Sequence, residues 1–261
     1  MSLEMLESNK VIEMEVDVVN LEGSLTLIHE LSFARKGAYV CVSNVHMCME
    51  TFDDLTFKNI VNSADMVIPD GRPISWAQKL LGSNRAEQVR GQDIMNALCA
   101  SSGEKNLNIG FYGGSSDLLL ERVVIKLKES FPSIQVTYKY SPPFRALTEE
   151  ENKAVVDHIN DCKVNILFVG IGCPKQEKWM ASNKESLNCV MLGVGAAFDF
   201  IAGSKKHAPT WIQYLGFEWL FRLCSEPRRL WKRYLKQNPR FLYHFTKQLV
   251  QHKLTNRCDI D

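Results

Sequence analysis

Short runs of consecutive apolar residues recur along this chain, each followed by a longer stretch in which apolar positions return at helical spacing. The runs are Ala38-Tyr-Val-Cys-Val-Ser43, Met66-Val-Ile68, Asn106 to Tyr112, Ile134 to Tyr138, Asn165 to Val169 and Asn188 to Val194. Their length and lack of a polar side predict strands covered on both faces, as in a parallel sheet. Between them the periodicity predicts helices over 21–36, 45–62, 73–81, 92–100, 115–130, 149–161 and 175–184. Leu25, Ile28, Leu31 and Phe33 are expected to face inward from the first, and Ile74, Trp76, Ala77, Leu80 and Leu81 from the third. Val11 to Val19 alternates and reads as an edge strand.

Strands alternating with helices imply right-handed βαβ units. The expected class is α/β: a Rossmann-like open, mostly parallel sheet with helices on both faces, formed by residues 1–203, plus a C-terminal helical appendage, 204–261. Such sheets bind ligands beyond the carboxyl ends of their strands. Asn44, Asp70, Gly113, Gly172, Gly195 and Asp199 fall at or just past predicted strand ends and are expected to converge on one rim. Asp70 is the best prepared of them. Pro69 has no N–H to extend a sheet ladder, Gly71 permits a turn, and Pro73 suits the first turn of a helix. A carboxylate placed there either meets substrate or serves as an Asx-turn or N-cap residue for its own helix.

Charge changes the picture at the C-terminal end. The chain is nearly neutral at +1, but residues 1–202 hold 19 Lys and Arg against 26 Asp and Glu, while 203–261 hold 12 against 4. In that tail Trp211, Tyr214, Phe217, Trp219, Trp231 and Tyr234 interleave with Arg222, Arg228, Arg229, Lys232, Arg233 and Lys236. Pro227 and Pro239 are expected to cut it into three helical pieces. A basic face beside an aromatic one suits a helix lying on an anionic membrane, and packing of the aromatics on the body is the alternative. Nucleic acid is not an expected partner, since the acidic body offers no continuing positive groove.

Met1 to Asn9 is charged and lacks a signal-peptide core, and no run reaches the about 18 apolar residues of a spanning helix. Eight cysteines without a CxxC pair, and His46 with Cys48 but no second pair for zinc, point to reduced thiols in a cytosolic protein.

The rim's chemistry is narrowed by what is missing. Gly170-Ile-Gly172 and Gly193-Val-Gly195 place glycines where strands meet helices, but Lys175 and Phe198 occupy the third position of a dinucleotide fingerprint. A nicotinamide oxidoreductase is therefore a weak alternative, and a non-enzymatic membrane-binding module is another. There is no GK[ST] loop, no G-x-S-x-G turn and no D-x-D at a strand end; Asp53-Asp54 is expected on a solvated helix face. Any bound nucleotide diphosphate must then be neutralised by helix ends and arginines, with no metal.

Several motifs together resemble one family. Ile68-Pro-Asp-Gly-Arg-Pro-Ile-Ser-Trp76, Val89-Arg-Gly-Gln-Asp93, Phe111-Tyr-Gly-Gly114, Val169-Gly-Ile-Gly-Cys-Pro-Lys-Gln-Glu-Lys-Trp179, Gly193-Val-Gly-Ala-Ala-Phe-Asp199 and Ala208-Pro-Thr-Trp211, followed by Gly216 to Arg222 and Glu226-Pro-Arg-Arg229, look like the WecG/TagA/CpsF glycosyltransferases. The resemblance implies a bacterial, metal-independent, inverting transferase. It would move a sugar from a UDP-sugar to a saccharide on a polyprenyl diphosphate, in cell-surface polysaccharide synthesis, at the inner face of the plasma membrane. No cofactor is implied beyond the donor, and self-association into a homo-oligomer is left open. By the same resemblance Asp70 is the general base, and Asn44, Arg90 and Gln176 belong to the substrate pocket. The appendage would close the site, with Arg222, Arg229 and Arg233 offsetting charge on the departing diphosphate and Asp199 serving the nucleotide. Val42 stands where the family often has a threonine.

Overall fold

The computed structural model describes residues 6–258, the side chains of 256–258 excepted. Part of the charged N-terminal stretch and the Cys258 thiol therefore lie outside the described residues. Six parallel strands form the central sheet: β3 (Ala38–Ser43), β4 (Met66–Pro69), β5 (Asn108–Gly113), β6 (Gln135–Tyr140), β7 (Ile166–Gly170) and β8 (Val190–Gly193), in the order β4-β3-β8-β7-β5-β6. The architecture is the expected Rossmann-like α/β class. Strand residues alternate between two cores, as a pleat of period two requires. Tyr39, Cys41, Leu167 and Val169 pack on one face, and Val40, Ile166 and Phe168 on the other.

Helices α1 (Leu21–Ala34), α5 (Gly91–Ser102), α6 (Asp117–Ser130) and α9 (Ala197–Ile201) pack with one another on the second face. Helices α2 (Val45–Asp53), α3 (Leu55–Asn62), α7 (Glu149–Asp161) and α8 (Lys175–Asn183) contribute to the first. Helix α4 (Arg72–Leu80) follows β4. The chain then leaves the sheet layers through Gly203 at φ +72° and forms α10 (Thr210–Tyr214), α11 (Glu218–Ser225) and α12 (Pro227–Cys258).

Several expectations are corrected. The single edge strand over 11–19 is an antiparallel hairpin, β1 (Ser8–Val11) and β2 (Met14–Asp17), lying against β4. Its turn holds Ile12 at φ +61°, an uncommon conformation for a β-branched residue. Gln248 of α12 secures it, accepting from the Ile12 amide at 2.8 Å and donating to the Lys10 carbonyl at 2.6 Å. Phe33 is 56% exposed because it lies 140° around α1 from the buried Ile28. On α4 the buried side chains are Ile74, Ser75, Ala77 and Gln78; Trp76 and Leu80 are exposed. Gln78 is drawn inward by hydrogen bonds to the Val16 and Asp17 carbonyls at 3.0 and 3.1 Å.

Pro227 opens α12 as expected, but Pro239 does not end it. Proline removes one helical hydrogen bond. Here contacts on both sides of it fix the helix to α2: Gln237 donates to Glu50 at 3.2 Å and Arg240 to Asp53 at 2.9 Å. Asp53 is thus paired, and Asp54 caps α3 by accepting from the Phe57 amide at 3.1 Å. Phe241 and Phe245 then enter the first core.

Phe245→Ala removes a buried aromatic from this junction and is expected to lower stability by about 3–5 kcal/mol in urea unfolding, whereas Tyr243→Ala, on the exposed side, should change it little.

Candidate functional site

The parallel register sets Ser43 opposite Pro69, where the ladder ends for want of a proline N–H. The Ser43 carbonyl instead accepts from the amides of Asp70 at 2.8 Å and Gly71 at 3.2 Å. The Asp70 carbonyl accepts from Gln88 Nε2 at 2.7 Å, and its Oδ1 accepts from the Gly91 amide, at the start of α5, at 2.8 Å. Asp70 does not cap its own helix: α4 is preceded by Gly71 with no side-chain cap. Burial pushes the carboxyl up to about 6, and Glu218 adds to the rise, while the Gly91 hydrogen bond, Arg222 and Arg90 oppose it.

Asp70 lines a cleft of about 910 Å³ over the carboxyl ends of the strands. Asn44, Arg90, Gly172, Gln176, Gly195, Asp199, Arg222, Arg229 and Arg233 line it too. Gly113 does not. At φ +127°, a Cβ on it would stand 2.5 Å from the Gly170 carbonyl carbon, so it holds β5 close to β7 while Gly114 and Ser115 face the cleft. Gly172 (φ +85°) and Gly195 (φ +55°) leave open space where a side chain would stand. Val42 lines the cleft, and the neighbouring Ser43 hydroxyl is spent on the Ile68 carbonyl at 2.8 Å, so this corner carries no free hydroxyl.

Asn44 caps α2, its Oδ1 accepting from the His46 and Met47 amides at 3.0 and 3.3 Å and from Arg233 Nη2 at 3.3 Å. Arg233 is largely buried, which pulls its pKa down, and its Nε has no partner. Arg222 Nε is also buried without a partner, its guanidinium 5.4 Å from the Phe200 ring centre. Arg229 differs. It is held by Glu226 at 2.6 Å, and Lys205 bridges Glu226 (3.6 Å) to Asp199 (2.8 Å). Arg90 pairs with Asp93 at 2.7 Å and donates to Gln213 of α10.

Gln176 is buried, its Oε1 accepting from the Gly172 amide at 3.2 Å and its Nε2 donating to Glu177 at 2.7 Å. Glu177 is fully buried, and desolvation pushes it up to about 7. The cleft lining also takes in Tyr112, stacked on Trp179 at 4.2 Å, and residues 142–147, with Phe144 86% exposed. Among the described residues no group of three or more His, Cys, Asp or Glu side chains is placed to hold a metal ion, and no helix is long and apolar enough to cross a membrane.

Glu218 and Gln213 line the cleft without having been singled out in the sequence. For Glu218 the available signal was its spacing of four from Arg222, which puts both on one face of α11.

A carboxylate with one oxygen anchored thus shares one cleft, at the rim of a parallel sheet, with two arginines whose Nε atoms are buried and unmatched. The glycosyl transferase WecG/TagA/CpsF family model matches residues 9–255, and the chain belongs to that family. Among its relatives are N-acetylglucosaminyldiphosphoundecaprenol N-acetyl-beta-D-mannosaminyltransferases. That of Bacillus spizizenii is 27% identical over 201 residues, covering 77% of this chain and 76% of the relative. The Bacillus subtilis protein is 27% identical over 76% and 75%, and the Staphylococcus aureus protein 28% over 73% and 72%. Membership in a glycosyltransferase family displaces the oxidoreductase and non-enzymatic readings.

Arg222→Gln and Arg233→Gln are each expected to weaken binding of inorganic pyrophosphate about tenfold or more and to flatten its salt dependence by calorimetry, with Arg229→Gln, already paired, costing less.

Proposed function

We propose that this glycosyltransferase moves an N-acetylhexosamine or hexose from a UDP-sugar to a saccharide carried on a polyprenyl diphosphate, by a single inverting displacement without a metal ion. The observation that carries the reading is the divided role of the Asp70 carboxylate. Oδ1 is fixed by the Gly91 amide, and Oδ2 carries no hydrogen bond among the described residues. An acceptor hydroxyl would give its proton to Oδ2 as its oxygen bonds the anomeric carbon. The bond from that carbon to the β-phosphate oxygen breaks, and the electron pair leaves with UDP. Arg222 and Arg233 would meet the charge growing on the diphosphate, with Arg229 and Lys205 beside them. Gly172 and Gly195 give the donor close approach to backbone, Asn44 and Gln176 are polar contacts, and Asp199 serves the nucleotide.

The relatives' names supply the first substrates to try: an N-acetylmannosaminyl donor and N-acetylglucosaminyl diphosphoundecaprenol as acceptor. A lipid-linked acceptor places the reaction at a membrane surface, which this reading takes to be the cytoplasmic face of a bacterial plasma membrane. Trp211, Tyr214, Leu215, Phe217 and Leu220 are exposed on α10, α11 and the turn between them, in the basic tail. That combination favours peripheral attachment to anionic lipid.

Asp70→Asn is expected to keep UDP-sugar binding and to lose about 10²–10⁴-fold in transfer rate; a variant turning over at the native rate would exclude this base. In the native enzyme transfer should rise with pH through about 6 as Asp70 ionises. Its raised pKa means that the folded state holds the proton more tightly than the unfolded one, so this group's contribution to stability falls as pH climbs from about 4 to about 6. Asp70→Asn should therefore melt no lower than native protein at pH 8. In flotation with vesicles, Trp211→Ala combined with Tyr214→Ala is expected to reduce binding to phosphatidylglycerol-containing membranes several-fold without changing the melting temperature; undiminished flotation would remove this surface from the membrane contact.

A further inference from the structure

We propose that Phe200 is a positioning residue for anion binding: its ring, backed by His207, holds the Arg222 guanidinium of the tail in place for a diphosphate while leaving its N–H groups free. The inference rests on the reading of the cleft arginines as the diphosphate's partners. Of the five arginines that line the cleft, four are tied to a polar acceptor. Arg90 is bonded to Asp93, Arg145 to Glu151, Arg229 to Glu226 and Arg233 to Asn44. Arg222 is the exception. Among the described residues it has no hydrogen-bond or ion-pair partner, Glu218 one turn back on α11 included, and its Nε is buried. What it does meet is Phe200, whose ring centre lies 5.4 Å from the guanidinium carbon.

That ring belongs to the body and is itself fixed. Phe198, two residues earlier on α9, is buried against Phe111 with ring centres 5.8 Å apart, and the Ser204 and Lys205 amides close the end of α9 by donating to the Asp199 carbonyl at 2.9 and 3.2 Å. The His207 ring stacks on Phe200 at 4.8 Å and 29°, and Gln92 Nε2 of α5 lies 3.3 Å from His207 Nε2. All four side chains, Gln92, Phe200, His207 and Arg222, line the cleft. The choice of an aromatic partner has a consequence. A carboxylate would orient the guanidinium too, but it would occupy N–H groups and cancel the charge that an anion needs. A ring attracts the cation through its face and restrains the guanidinium while consuming no donor. Arg222 is thereby placed by the body and kept unpaired for a ligand.

The test is a double-mutant cycle on full-length protein, read as the affinity for inorganic pyrophosphate by calorimetry at fixed salt. Phe200→Leu is expected to weaken binding by about three- to tenfold, and Phe200→Tyr, which keeps the ring, to bind as native protein does. His207→Ala removes an exposed side chain and should weaken binding by about twofold with the melting temperature retained. In the Arg222→Gln background neither Phe200→Leu nor His207→Ala should weaken binding further. Native affinity in Phe200→Leu, or the same loss with and without the Arg222 guanidinium, overturns the inference. If Phe200→Leu does not fold, His207→Ala carries the cycle alone, and native affinity or full additivity there overturns it equally. Failure of the diphosphate reading would show separately, as Arg222→Gln protein that binds pyrophosphate as tightly as native.

Discussion

One carboxylate oxygen bound to a backbone amide is the contact on which this site depends. The bond from the Gly91 amide to Asp70 Oδ1 joins the end of β4 to the start of α5, elements separated by α4 and a ten-residue crossing. Because the Asp70 amide and carbonyl are also bonded, to Ser43 and Gln88, the residue has little freedom left except at Oδ2. Pre-organisation of this kind counts, since a base misplaced by an ångström loses much of its effect. The register of β3 against β4 therefore fixes where this carboxylate stands. A slip of one residue would turn Asp70 toward the other face of the sheet.

The C-terminal helices meet the body through the same polar atoms that border the cleft. Arg90 bonds Gln213, Asn44 bonds Arg233, and Lys205 joins Asp199 to Glu226. The contacts that dock the tail thus run through residues that also line the cleft. Farther along, Phe241 and Phe245 in the core and Arg240 on Asp53 fix α12 to the body. The opposite charges of body and tail, visible in the sequence, are expressed here as specific pairs.

What could be read from the sequence follows from which signals are local. An open parallel sheet was implied by strand and helix alternation, though not its strand order, and the rim position of Asp70 by Pro69 and Gly71, because backbone chemistry dictates both. Residues whose orientation depends on a distant partner were not legible. Gln78 is buried because the β2 carbonyls need donors, Trp76 is left exposed beside Gly216 of the tail, and Pro239 is tolerated because α2 grips the helix around it. Gly113 was misread for the same reason: its positive φ serves the approach of β5 to β7, a contact across 57 residues of sequence. Glu218 escaped notice because an acid in a basic tail reads as surface until the cleft it lines is seen.

The unfilled hydrogen bonds of the cleft bear on its binding energetics. A buried donor without an acceptor costs about 1–3 kcal/mol, and more when charged, so Arg222 and Arg233 are strained in charge without any strain in geometry. Arg229, by contrast, has its carboxylate partner in Glu226 at 2.6 Å. In the proposed reaction an incoming diphosphate would meet donors whose desolvation was already borne by folding, so the attraction it gains would exceed that at solvated arginines.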